Sequence, residues 1–384
     1  MWKHVAANAL TLLIVAFVLL AGLVAMGQRM FVSEGPLEQA ICLRVEQGAN
    51  LRGVASSLDE QGAVTSPMLF RVGAQYDGRD SRLRFGSYLV PAGASMDEIL
   101  DIVTRGGAST CGTEVVLRIG VTAVNYEVRE LDPQTNRFIE TVDLPLETTE
   151  FPAEYTQVAN QADTRFRVVV AEGATSWQIW NAVSNAEFLS GEAGELPPEG
   201  HLAPDGYELR RGADRAAFLA EMQSRQETFL ATAWENRVEG LPFDTPEEAL
   251  TLASIVEKET GVADERGVVA GVFINRLRAP MRLQTDPTVI YGITLGQGTL
   301  GRGLRRSELD RETPYNTYRI DGLPPTPIAN PGRAAIEAVL NPDETDYLYF
   351  VADGTGGHVF ASTLAEHNSN VARWREIEAQ RGDN

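Results

Sequence analysis

Cysteine and histidine are scarce in this chain, two of one and four of the other among 384 residues. Cys42 and Cys111 are too far apart in sequence to suggest a thiolate metal site, and His4, His201, His358 and His367 show no ligand spacing. No metal and no cofactor is therefore expected. Basic residues are also short, 33 Lys and Arg against 53 Asp and Glu, which leaves a net charge of −20. No Lys/Arg cluster interleaved with aromatics offsets that balance, so nucleic acid is excluded as a partner. One stretch, "GQGTLG" at 296–301, fits G-x-G-x-x-G. It lacks the hydrophobic strand before it and the ribose-binding acid after it, so it reads as a flexible loop.

With 43% hydrophobic and 22% charged residues, the chain is globular, and its length suits two or three domains. An apolar run from Val5 to Met26, roughly 22 residues, is long enough to cross a hydrocarbon core as a helix. Lys3 precedes it and the bulk of the acidic chain follows. Residues 1–4 are thus expected as a cytoplasmic tail, 5–26 as a transmembrane helix and 27–39 as a linker, with the rest exported. The rival is a cleaved signal peptide ending near Ala25-Met26-Gly27. The run is long for one, which favours an uncleaved anchor.

Beyond the linker one pattern recurs three times, in "LRVEQGANLRGVASSL", "SYLVPAGASMDEILDIV" and "RVVVAEGATSWQIWNAV". An apolar strand-like run meets a Gly that permits a tight turn, then a residue suited to cap a helix. Ser95 with Glu98, and Thr175 with Gln178, have capping-box spacing. Each copy reads as strand–turn–helix. Between the second and third, "VTAVNYEVRELDPQTNRFIETVDLPL" alternates apolar and polar residues around Asp132–Asn136, a hairpin signature. Residues 113–163 are expected to be a β-rich insertion. From Asp214 the chain turns helical. Thr245, Pro246 and Glu248 suit N-cap, N1 and N3 of a helix carrying "LASIVEKET", and "DERGVVAGVFINRLR" is a second helix. A long Gly/Pro/Asn/Thr-rich stretch follows, and loops of that length are more often functional than not. A hairpin turning at Asp353-Gly354 and a final helix close the chain. The fold class is α+β.

"LASIVEKET" holds two carboxylates, Glu257 and Glu259. On a wheel, Val256, Ile255 and Leu252 lie three, four and seven residues before Glu259, which therefore sits along an apolar edge. The same offsets from Glu257 give Ser254, Ala253 and Leu250, and Lys258 falls with Thr251 and Ser254 on a polar face. Apolar surroundings raise a carboxyl pKa, and a carboxyl protonated near neutrality can act as a general acid. On the residues alone, solvated helix-end charges or an ion pair remain the alternative.

"LASIVEKET", "VFINRL", "MRLQTDPTVIYG", "TPYNTY", "GLPPTPIANPG" and "YLYFVADGTGGHVF", in that order, closely resemble the MltG (YceG-like) family of membrane-anchored endolytic murein transglycosylases. The first two strand–turn–helix copies resemble that family's LysM-like subdomain. The resemblance implies a LysM-like α/β unit over 40–112 and a mixed α/β catalytic domain over 164–384, behind a single-pass anchor in a bacterial inner membrane with the catalytic part in the periplasm. The β-rich insertion departs from the family pattern. So does "EGHLAPDGYEL", where the family carries aromatics in place of His201 and Leu202.

The activity implied is lytic cleavage of nascent peptidoglycan strands between N-acetylmuramic acid and N-acetylglucosamine, leaving 1,6-anhydro ends and terminating elongation. Glu259, the second acid of the E-x-E stretch, is the implied catalytic residue. Gln284, Thr285, Asp286, Tyr315, Asn316 and Tyr318 fall in matching motifs and are candidate substrate-binding residues, as are Asn275 and Arg276 of "INRL". Peptidoglycan synthases are the candidate protein partners. Two other readings are a muramidase-type hydrolase in which Asp286 activates water, and a non-catalytic peptidoglycan-binding scaffold. Export also permits a disulfide. Cys42 lies at the entry to the LysM-like unit and Cys111 at its exit, so pairing is expected if those strands are neighbours. Two buried thiols are the alternative.

Overall fold

The computed structural model describes residues 2–105 and 110–382. Met1 of the expected tail and residues 106–109 of the expected 40–112 unit lie outside the described residues. The chain divides into two compact units. One comprises residues 1–115, 127–143 and 149–165, the other 116–126, 144–148 and 166–384.

The first unit begins with helix α1, Trp2–Val32. It continues six residues past the apolar run, into the stretch expected as linker. The reason is packing, because Phe31 is buried in this unit's core. Strand β1 (Ile41–Val45) and helices α2 (Leu51–Glu60) and α3 (Pro67–Tyr76) follow, then β2 (Gly86–Val90) and α4 (Met96–Arg105). β1 and β2 pair antiparallel, with Leu43 opposite Tyr88. Asn50 caps α2 through Gly53 N at 3.0 Å, and Ser95 and Glu98 exchange the capping-box bonds at the head of α4. Helix α3 has no counterpart in the strand–turn–helix pattern, which covers only α2 and α4. Leu43, Leu58, Phe70, Val90, Ile99 and Leu100 are fully buried together, each worth roughly 1.5–3 kcal/mol of burial. Cys42 and Cys111 are bonded, with Cα atoms 5.6 Å apart.

Strands β3 (Thr113–Ile119), β4 (Val124–Asp132) and β5 (Arg137–Pro145) contribute residues to both units, and a short helix α5 (Ala153–Ala159) follows them. β4 and β5 are neighbours joined by residues 133–136, and Asn136 takes a positive φ of 52° in that turn. These strands do not form a sheet of their own. With β6 (Arg165–Val170) and β7 (Gly206–Leu209) they make one sheet in the order β5-β4-β3-β6-β7. Four consecutive residues of β3, Glu114–Leu117, are buried. A strand covered on both faces suits the middle of a sheet, and β3 has a neighbour on each side.

In the second unit β6 leads through a tight turn to α6 (Ser176–Asn185), whose capping box joins Thr175 and Gln178. Helices α7 (Arg215–Glu235), α8 (Pro246–Glu259) and α9 (Arg266–Arg278) come next. The irregular region carries α10 (Asp286–Thr294) and the short α11 (Arg306–Leu309). Then come α12 (Arg333–Leu340), the hairpin β8 (Tyr349–Ala352) and β9 (His358–Ala361), and α13 (Leu364–Gly382). The stretch 296–301 is loop, with Gly296, Gly298 and Gly301 all at positive φ.

Helix α8 is the centre of this unit. Thr245 and Glu248 form its capping box and Pro246 opens it. It packs against α7, α9, α10 and α12, and every residue from Ala249 to Val256 is buried. Thr251 and Ser254, expected on a polar face, are therefore inside. Ser254 donates to Thr251 O at 2.7 Å and accepts from Ile328 N at 3.0 Å, while Thr251 donates to Glu247 O at 2.9 Å. The hydroxyls are satisfied by backbone, which is why polar residues are tolerated there.

Candidate active site

Glu259 is the last residue of α8. Its Oε1 accepts the hydroxyl of Thr285. Thr285 is the N-cap residue of α10, yet its side chain makes no capping bond. The hydroxyl is turned to Glu259 instead. Thr285 is itself fixed by its N–H, which donates to Thr317 Oγ1 at 3.0 Å, and by its carbonyl, which accepts from Thr288 Oγ1 at 2.8 Å. Gln284, just before it, is exposed and holds a positive φ of 52° while its N–H donates to Thr317 O at 3.2 Å. A non-glycine residue in that conformation stores strain, and such residues cluster at functional sites.

Asp286 opens α10 and accepts the Tyr318 hydroxyl at 2.7 Å. Burial pushes the Glu259 carboxyl above its usual value. The Thr285 hydroxyl pulls it back, Asp286 adds to the rise, and His358 and Arg276 oppose it. Burial and Asp286 likewise push the Tyr318 phenol upward. The C-terminal end of α8, the start of α10 and the 315–318 loop thus bring together Glu259, Thr285, Asp286 and Tyr318.

Other residues singled out from sequence have structural partners. Asn275 Nδ2 donates to Thr345 O at 2.7 Å and Tyr347 O at 3.1 Å. Arg276 is buried; its Nε donates to Leu348 O at 2.7 Å and Nη1 to Leu283 O at 2.5 Å. Asn316 is fully buried, donating to Glu308, Leu309 and Arg311 carbonyls and accepting from Tyr318 N at 3.0 Å. These three hold loops in place. Tyr315 shares a hydrogen bond with Thr326 at 2.8 Å, its ring 5.0 Å from that of Tyr291.

Glu257 points elsewhere. Its Oε2 accepts Gly332 N at 3.0 Å, at the start of α12. Burial raises its carboxyl too, helped by Glu172 and opposed by that backbone bond. Glu257 is less deeply enclosed than Glu259, in keeping with its smaller, more polar wheel neighbours, and the two acids also differ in their partners. Lys258 is half-buried rather than on a polar face; its Nζ donates to Gly173 O at 3.2 Å, and burial lowers its pKa.

Two acids escaped the sequence reading. Glu199 accepts Ser176 N at 2.7 Å and the Tyr291 hydroxyl at 3.1 Å, and burial raises its carboxyl. Glu265 accepts His358 N at 2.9 Å and meets His358 Nδ1 at 2.8 Å. Neither belongs to a local pattern; the partners lie 92 and 93 positions away. Where the family pattern carries aromatics, His201 pairs with Glu247 at 3.2 Å and Leu202 is fully buried. Among the described residues, no group of three or more His, Cys, Asp or Glu side chains is placed to hold a metal ion.

An enclosed carboxyl beside a polar cluster is the kind of site built for acid–base chemistry on a polar substrate. The YceG-like family model matches residues 43–164 and 146–373, and the chain belongs to that family. An endolytic murein transglycosylase of Bacillus subtilis is 30% identical over 331 residues, 85% of this chain and 82% of its own. One from Streptococcus pneumoniae is 27% identical over 360 residues, 86% of this chain and 58% of its own. The crystal structure of a yceG-like protein from Listeria monocytogenes aligns over 86% of this chain and 99% of its own, at 24% identity and a TM-score of 0.45.

Proposed function

We propose that the protein is an endolytic peptidoglycan lytic transglycosylase, with Glu259 as its single acid–base residue. The observation that carries the reading is the Glu259 carboxyl itself, raised by burial, bonded to Thr285 and set beside Asp286. A raised carboxyl keeps its proton nearer neutrality and can donate it to a leaving oxygen. Ordinary glycosidases need a second carboxyl to activate water or to attack. Lytic cleavage does not, because the C6 hydroxyl of N-acetylmuramic acid attacks its own C1. That nucleophile is intramolecular and so has a high effective molarity.

In this mechanism Glu259 protonates the oxygen between N-acetylmuramic acid and N-acetylglucosamine as the C1–O bond breaks. The resulting carboxylate then takes the proton of the C6 hydroxyl as the 1,6-anhydro bond forms. Thr285 orients the carboxyl and stabilises its charged form. Asp286, oriented by Tyr318, is assigned the role of offsetting the positive charge that develops at C1. Gln284 and Tyr315 are the remaining candidate sugar contacts.

The family relation and the relatives' names support this substrate class. Leu10–Val32 is long and apolar enough to cross a membrane, which supports a single-pass anchor; the charge pattern, Lys3 before the run and the acidic chain after it, favours the catalytic part in the periplasm. The β1–α2–α3–β2 unit, with its own core, supports a LysM-like, glycan-holding role for residues 40–112. Synthases that extend glycan strands are the proposed partners.

Mass spectrometry of muropeptides released from purified sacculi tests the reading. Anhydro ends made by the wild type and not by Glu259→Gln are expected. Reducing ends would point to a hydrolase, and intact strands to a scaffold; either overturns the proposal.

A further inference from the structure

Helix α3 carries more apolar surface than its core uses. Ser66 caps it through Leu69 N at 3.2 Å and Pro67 sets its first turn. Phe70 and Ala74, four apart, fill the core of the first unit. Met68, Val72 and Tyr76 are also spaced by four and fall on the opposite face at about 100° per residue. They are 72%, 50% and 83% exposed. Three large apolar side chains in one exposed line call for a partner.

The same helix packs on α1. The buried Phe31 ring lies against Gly73, where any side chain would overlap it. Beside this contact runs a groove of about 860 Å³, with Leu20, Leu23 and Val24 on one wall and Leu69, Val72 and Tyr76 on the other. Its lining joins the exposed apolar side chains of α1 to the exposed line on α3, with Gln28 and Arg29 of α1 as its further polar members. Asp77 and Asp97 are the acids among the lining residues, and both pair with Arg79.

We infer that α3 is seated in the membrane surface. The Met68–Val72–Tyr76 line lies at the boundary between headgroups and acyl chains, and lipid chains fill the groove beside α1. This rests on the reading of α1 as a membrane span. Leu10–Val32 has 23 residues, about 34 Å of helix, slightly more than a hydrocarbon core of roughly 30 Å. Leu20 and Leu23 then lie within the core, and the groove at their level opens to acyl chains. Tyr76, with an apolar ring and a polar tip, suits the headgroup level. The first unit is thereby held on the bilayer by two elements rather than hung from one.

The test uses the full chain in phosphatidylcholine vesicles. Variants Leu20→Cys, Met68→Cys, Val72→Cys and Arg52→Cys, each with the Cys42–Cys111 bond left intact, carry an environment-sensitive fluorophore on the added thiol, and some lipids carry nitroxides on their acyl chains. Arg52 lies exposed on α2 and serves as the aqueous control. Probes at 20, 68 and 72 should be quenched several-fold more than the probe at 52. Quenching at 20 with 68 and 72 matching 52 overturns the inference and leaves the span standing. A blue-shifted but unquenched probe at 72 means a protein segment fills the groove, which also overturns it. No quenching at 20 removes the span reading, and this inference with it.

Discussion

The Thr285 hydroxyl donates to Glu259 Oε1 across 26 residues of sequence, leaving the N-terminus of α10 without a side-chain cap. A cap of that kind is worth about 1 kcal/mol of helix stability. The carboxyl that the Thr285 hydroxyl holds is one that burial already raises; Glu257 is held too, but by a backbone N–H at the start of α12 rather than by a hydroxyl beside Asp286.

Glu259→Gln is expected to lower glycan cleavage by about 10²–10⁴-fold or more, the usual contribution of a general acid–base group. Glu257→Gln should keep most of the activity, since Glu257 is committed to Gly332 N. Turnover assays on isolated sacculi decide this. Near-wild-type cleavage by Glu259→Gln would falsify the assignment.

Thr285→Val keeps the shape and removes the donor. The hydroxyl favours the ionised carboxyl, so its loss raises the Glu259 pKa further. A general acid works while protonated, and activity falls as pH rises through its pKa. The alkaline limb of kcat/KM should therefore move to higher pH, with turnover down about 10-fold from lost orientation. An unmoved limb, or one displaced to lower pH, would count against a direct bond between the two residues.

Stability should carry the same sign. Glu259 has a folded pKa above its usual 4.5, so the folded state holds this proton more tightly than the unfolded one. Its favourable contribution is complete below 4.5 and is lost as pH rises through the folded value. Glu259→Gln escapes that loss. Urea midpoints should show its advantage over the wild type growing from pH 4.5 to pH 8. A gap independent of pH would mean the carboxyl titrates alike in both states.

Peptide mapping without reduction should recover Cys42 and Cys111 as one linked pair. The bond closes a loop with a sequence separation of 69, for which chain entropy gives on the order of 4 kcal/mol. Cys111→Ser should then loosen the first unit, seen as faster proteolysis within residues 40–105, while cleavage of soluble glycan fragments changes little. Two alkylatable thiols in native protein would end the idea.

Local signals carried much of this fold into the sequence. The boxes at Ser95/Glu98, Thr175/Gln178 and Thr245/Glu248 are each set within one turn, and all three form. The β4–β5 hairpin was legible for the same reason. Long-range satisfaction was not. The wheel places Thr251 and Ser254 on a polar face, and nothing local says that this face is buried or that Ile328 N arrives to occupy Ser254. Residues 113–163 read as a separate insertion because the β3–β6 pairing is not a local feature. Asn316 and Arg276 sat in motifs that favour a substrate role, and the carbonyls they hold are contributed by loops whose paths the motifs do not encode.

The enclosure of α8 has a consequence for motion. Eight consecutive buried residues leave the helix no cheap way to open locally, so it separates from its neighbours only when the unit itself unfolds. Glu259 stands less than one turn beyond that block. The proposed proton donor thus adjoins a segment with no cheap local opening, whereas Gln284, Tyr315 and Tyr318 come from irregular backbone. A long polymer advancing through such a site could displace the loop-borne groups as it passes, while the carboxyl keeps its place against each successive sugar.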